Sequence, residues 1–356
     1  METVPIVGYS DKLSGRPGDR INFMVSSEHK GDFTAQLFRS VNADPNPKGQ
    51  GIVEHACDDF FPKQSFSSRE QKFEPGSYGI TEQPFKMTVD DNVRFSVTIF
   101  PTLKTSSPQS LIEFGKFCLM LDPDGHVSFS FGSKAIKTVD TISFRRWHRI
   151  EAQINKTGLM SIEFVNLDNS KGSKPASIQF DLDLDLNEQA HVIIAAKRVG
   201  GSAKNCFNGK IEHPEICADG QIIAFWDFSE NIPSLAVTGV ECPDLTLVNA
   251  PTRAVTGAMW DASEMNWQHK PQHYAAIAFH EDDIYDFNWD ADFSFVIPPK
   301  MPSGIYIMRI SCEDDYDAIP FFVCPEKGQA SARLCVLVST FTYVIYGNHA
   351  RPDYND

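Results

Sequence analysis

Arg94-Phe95-Ser96-Val97-Thr98-Ile99 alternates polar and apolar residues along its whole length. In an extended chain that spacing puts Phe95, Val97 and Ile99 on one face. This is the pattern of an antiparallel strand with one side against a core. Similar β-branched and aromatic runs recur at 20–26, 33–39, 93–100, 112–121, 127–131, 147–154, 159–165, 177–184, 191–196, 222–228, 293–297, 305–310 and 319–323. Gly, Pro, Asn and Asp separate them, and helical periodicity is scarce until the end. The chain reads as mainly β.

At 356 residues, 42% hydrophobic and 12% aromatic, the chain can fill two or three cores and is not disordered. Its net charge of -15 argues against nucleic acid and against a grip on anionic membranes. Met1 to Ser10 lacks a basic region followed by an apolar core, so no signal peptide is expected. No run of 18 apolar residues appears, so none is expected to span a bilayer. None of the eight cysteines sits in a CxxC pair. Cys118 and Cys335 lie in apolar runs and read as small buried hydrophobes, in a reducing, cytoplasmic setting.

Residues 60–232 hold the densest series of strands. Arg146-Trp147-His148-Arg149-Ile150 opening a strand, and an Asn208-Gly209-Lys210-Ile211 turn near the end, resemble a concanavalin-like (LamG-like) jelly roll. Residues 1–48 and 285–327 read as two halves of an immunoglobulin-like sandwich into which that jelly roll is inserted. Residues 233–284 carry Pro, Gly and Trp with few clear strands and read as a linker. Gln329-Ala330 mark a boundary, and residues 328–356 read as the start of a truncated α/β catalytic domain: an apolar strand, 332–340, leads into a Tyr/Gly/Asn turn.

Three stretches offer chemistry. Asp181-Leu182-Asp183-Leu184-Asp185-Leu186 spaces its carboxylates about 7 Å apart on a strand, too far for one calcium ion, and reads as a solvated acidic edge. Phe279-His280-Glu281-Asp282-Asp283 is dense in ligand types. It would suit a divalent metal only if a turn gathered them, and otherwise reads as an anchoring polar turn. Tyr343 and Tyr346 stand three apart, so a turn would put them on one side. They are either core aromatics or hard phenolate ligands suited to ferric iron. No GxSxG, HExxH, P-loop or dinucleotide signature occurs.

Longer segments carry a family resemblance. Tyr274-Ala275-Ala276-Ile277-Ala278-Phe279-His280-Glu281-Asp282, Trp289-Asp290-Ala291-Asp292-Phe293-Ser294-Phe295, Asp317-Ala318-Ile319-Pro320-Phe321-Phe322-Val323 and Ser339-Thr340-Phe341-Thr342-Tyr343-Val344-Ile345-Tyr346-Gly347-Asn348 resemble the N-terminal portion of the large (beta) subunit family of N,N-dimethylformamidase. Gly8-Tyr9-Ser10-Asp11 and Phe225-Trp226-Asp227-Phe228-Ser229 extend it over the chain. The resemblance implies hydrolysis of dimethylformamide and other small formamides to formate and amine. It implies a mononuclear ferric iron held by two tyrosines and a glutamate, a small helical partner subunit and homo-oligomeric association.

By its place in the Tyr-x-x-Tyr-x-Asn turn, Tyr346 matches one iron ligand, and Tyr343 matches a position without that role. The family's other ligands and proton-transferring residues fall past Asp356, so no catalytic residue is expected within the chain. The alternative is a carbohydrate-binding or interaction module that uses the jelly roll.

Overall fold

Phe95, Val97 and Ile99 are fully buried in the strand Asn92–Pro101, as their alternation requires. Ser96 and Thr98, on the opposite side, are buried as well. The strand is central: His148–Asn155 pairs with one edge and Gly209–Ala218 with the other. The side chains of those neighbours close over the small polar residues. The computed structural model describes residues 5–44, 46–180, 184–330 and 332–342.

The chain divides into two compact units, Met1–Phe73 with Asn288–Asp356, and Glu74–Phe287. In the second, a jelly-roll sandwich, a ten-stranded sheet runs Lys171–Gly172, Leu159–Asn166, His148–Asn155, Asn92–Pro101, Gly209–Ala218, Gln221–Trp226, Gly239–Val240, with three further strands paired alongside. An eight-stranded sheet, with Gln109–Phe114, Phe117–Leu121, Val192–Ile194 and Tyr78–Thr81 at its centre, supplies the other layer. Phe95, Phe114, Phe117, Phe129, Trp226 and Phe279 belong to one shared core. Each such ring removed from water contributes about 1.5–3 kcal/mol.

The first unit is a second β-sandwich built from both ends of the chain. Ile6–Ser10, Arg20–Ser27 and Phe293–Val296 form one sheet, and Asp32–Ala43, Gly304–Cys312 and Asp315–Val323 lead the other. Phe23, Phe33, Tyr306 and Phe321 fill its own core. Asp292 ties the two ends of the sequence together. Its carboxylate accepts from the Val25 N–H at 2.7 Å, Arg69 Nε at 2.9 Å and Gln71 Nε2 at 3.2 Å.

Several sequence expectations change. The single run expected at 112–121 is a hairpin, because Gly115 takes a φ of 56° and turns the chain between Phe114 and Phe117. The expected turn at Asn208-Gly209-Lys210-Ile211 instead opens the long strand Gly209–Ala218. Residues 233–284, read as a linker, contain strands: Leu245–Val248 pairs with Tyr78–Thr81, and Ala276–Phe279 pairs with Gly209–Ala218. Short, interrupted runs hid them, but the backbone groups of a chain crossing a sandwich still need partners.

Residues 332–340, expected to open a truncated α/β domain, form no strand, and 340–342 are helical. Leu334, Val336 and Leu337 are 81–94% exposed, and Cys335 is exposed rather than buried. A strand needs a ladder partner, and among the described residues none lies beside this segment. No described helix is long and apolar enough to cross a membrane.

Candidate functional site

The pleat puts the polar residues of three adjacent strands on the outer side of the ten-stranded sheet. Thr98 lies between Arg149 and Glu212, and Ser96 between Glu151 and Glu215. Arg149 Nη2 donates to Ser96 Oγ at 3.0 Å. Further along, Lys210 is paired with Phe100, and its ammonium lies 5.5 Å from the Phe100 ring centroid and 6.0 Å from that of Trp147.

The strand Gly209–Ala218 is bulged. Its register with Asn92–Pro101 shifts between Glu212 and Glu215, and His213 takes a φ of 49°. Adjacent residues of a regular strand point to opposite faces, whereas a bulge re-aims one of them. Here it brings His213 Nδ1 to 3.8 Å from Glu212 Oε1. The His213 ring also stacks on Phe225 at 6.0 Å.

Glu212 is 1% exposed. The Ala258 N–H donates to its Oε2 at 2.8 Å, while its buried Oε1 has no hydrogen-bond partner among the described residues. Burial outweighs that one bond, and Asp227 adds to it, pushing the carboxyl up to about 7. Burial likewise pushes Lys210 and His213 below their ordinary ranges. The arrangement holds a proton on a carboxyl near neutrality beside a neutral imidazole, and that can store or pass a proton.

Other sequence candidates have other places. Tyr346, with Tyr343, lies outside the described residues, as do Asp181 and Asp183. Leu186 of that acidic run is buried, and no strand covers 184–186. His280 to Asp283 form a polar turn. Ser77 Oγ donates to Asp283 Oδ2 at 2.7 Å, the His280 N–H donates to Ser77 Oγ at 3.1 Å, and the Glu281 N–H donates to Asn208 Oδ1 at 3.1 Å. Among the described residues no group of three or more His, Cys, Asp or Glu could hold a metal ion.

Sequence reading does not single out Glu212 and His213. The one signal was Pro214 two residues past Glu212, since proline inside a strand marks an edge or a bulge.

Fold and site together define an all-β, two-sandwich protein with a polar sheet face. Residues 252–355 match the family model described as N,N-dimethylformamidase beta subunit-like, C-terminal. The chain is similar along its length to N,N-dimethylformamidase beta subunits. It is 30% identical to the N,N-dimethylformamidase beta subunit of Paracoccus aminophilus over 406 aligned positions, covering 98% of this chain and 53% of that protein. The beta subunit from an Alcaligenes species is also 30% identical, with the same coverage. The chain thus spans about half the length of the curated relatives it matches.

Among solved structures, a candidate carbohydrate binding protein from Bacteroides ovatus aligns at a TM-score of 0.36 and 9% identity, covering 64% of this chain and 66% of that one. The LG1-3 region of the laminin alpha2 chain aligns at 0.30 and 12%, covering 57% and 50%. Scores at this level carry no functional argument.

Proposed function

We propose that the chain is the N-terminal scaffold part of an iron-dependent amidohydrolase that cleaves a small N-substituted formamide to formate and an amine. The observation that carries this reading is the 30% identity to dimethylformamidase beta subunits over 98% of the chain. The donor we assign from this chain is Tyr346, the second tyrosine of Tyr343-Val344-Ile345-Tyr346-Gly347-Asn348. A phenolate is a hard anionic oxygen, and its chemistry suits ferric iron. When bound, a mononuclear ferric ion supplies Lewis acidity toward the formyl oxygen and the attacking water.

Open catalytic metal sites keep about three protein ligands, so one tyrosine does not complete a centre. We assign the other donors, and the carboxylate that moves protons to the departing amine, to the part of the relatives that this chain does not span. By itself the chain is then catalytically inactive. Its sandwiches build the scaffold and the contacts to a small helical partner subunit and to further copies of itself. The eight unpaired cysteines support a reducing, cytoplasmic setting.

The test is Tyr346→Phe in the native gene product assembled with its partners. Loss of bound iron together with loss of formamide hydrolysis is expected. Undiminished iron content would remove Tyr346 from the ligand set. If formamides are not hydrolysed by the unaltered assembly, the substrate assignment fails.

A further inference from the structure

The sheet face carries a cover whose attachment is ionisable. Val255 pairs with Ala276, so the chain leaves and re-enters the sheet at one point and encloses residues 256–274 in a loop closed at its base. Inside the loop, the Gly257 N–H donates to the His273 carbonyl at 2.8 Å, and Tyr274 Oη donates to the Glu264 carbonyl at 3.0 Å. These bonds hold the loop together as one body at the Val255–Ala276 ladder.

Two ionisable side chains of Gly209–Ala218 fasten this body to the sheet. Lys210 Nζ donates to the carbonyl and the hydroxyl of Thr256 at 3.0 and 2.8 Å, and the Ala258 N–H donates to Glu212 Oε2 at 2.8 Å. Gly257 is where the loop meets the carboxyl. A Cβ there would lie 2.9 and 3.1 Å from the two Glu212 oxygens. The closed loop thus seals a carboxyl with one oxygen bonded and the other, Oε1, buried without a hydrogen bond among the described residues. A protonated carboxyl tolerates such a site far better than a carboxylate.

We propose that residues 256–274 form a flap over the polar sheet face, clasped by Lys210 and Glu212, and that ionisation of Glu212 releases it. In the closed flap Glu212 holds its proton up to about pH 7, and once the flap opens water returns it to the ordinary carboxylate range. The open form gives up its proton first as pH rises, so closure weakens between about pH 4.5 and 7 and levels off above.

Other charged groups surround the clasp. Lys210, His213 and Glu215 lie on the same strand, Arg149 on the His148–Asn155 strand, and Asp227 just past Gln221–Trp226. Asn92–Pro101 presents only uncharged Thr98 opposite Glu212. The flap adds Asp261 and His273, whose Nδ1 is 3.4 Å from Asp261 Oδ1. A histidine-driven release would have the opposite sign, loosening the flap as pH falls.

Amide hydrogen exchange of the whole protein, read as protection factors for 256–274, tests this. Flap protection is expected to fall on the order of 10- to 100-fold from pH 5 to pH 8, and to become flat in Glu212→Gln. Flat protection in the unaltered protein, a rise with pH, or a Glu212→Gln profile that tracks the unaltered one would overturn the proposal. Should Glu212→Gln not fold, carbon NMR of the Glu212 carboxyl in the unaltered protein decides. A midpoint near 7 supports the flap, and one in the ordinary carboxylate range refutes it.

Discussion

Asp292 shows how much a single buried carboxylate does in this molecule. Its side chain is 7% exposed and holds an N–H, a guanidinium and an amide from the other end of the sequence. Asp292→Ala leaves those donors unpaired and is expected to cost about 2–4 kcal/mol in urea unfolding, with Asp292→Asn costing less. His148 is a different case, 1% exposed and pushed below its ordinary value by burial. The unfolded chain takes up a proton near pH 6.5 that the folded site resists, so stability falls as pH drops through that value. In His148→Gln the loss of stability between pH 7 and pH 5 is expected to be smaller, and an equal loss would assign the acid limb elsewhere. The Trp147-His148 pair is visible in sequence as the opening of a strand. The burial that keeps the imidazole neutral is not, because it depends on Phe164 packing across the next strand.

At the scale of elements, alternation was a reliable guide wherever a strand was long. Phe95 packs against Phe117 and Phe129 at ring separations of 5.2 and 5.6 Å. Phe95→Ala is expected to cost about 3–5 kcal/mol, measured by the shift of the denaturation midpoint at constant slope. A cost near that of a surface substitution would mean the sheet repacks. Alternation failed where polar residues are buried by lateral neighbours, as at Ser96 and Thr98. It failed again where a bulge interrupts the period, and so the strand carrying Glu212 went unread. The flap segment was taken for linker because its order comes from pairs such as Lys210 with Thr256, distant in sequence. Gly257→Ala is expected to lower stability by about 1–2 kcal/mol, since its Cβ would press on the Glu212 carboxyl. Unchanged stability would show that the loop gives way there.

For the whole molecule, insertion of one sandwich into another has a physical requirement: the chain must leave and return at nearly the same place in the host. Within the first unit it does. Trp289 Nε1 donates to the Lys72 carbonyl at 3.2 Å, and Arg69 binds the Asp290 carbonyl at 2.9 Å, so both sides of the excursion are fixed to each other. The two cores are also separate, one drawn from residues between Met87 and Phe279 and the other from Ile6 to Phe61 and Phe293 to Val323. The nested order was legible in the sequence because the two groups of strands are separated along it, whereas the boundary at Glu74 was not, because Gln64–Ser67 pairs back onto Asp32–Ala43. Residues 74–287 produced alone are therefore expected to fold, with β-type circular dichroism and one cooperative urea transition reported by Trp226, which is fully buried. The reciprocal cut, joining Phe73 to Asn288 through a few glycines, is expected to leave the first sandwich folded, because Lys72 and Trp289 already meet. If neither piece folds while the intact chain does, the cores depend on one another and the insertion is not a separable one.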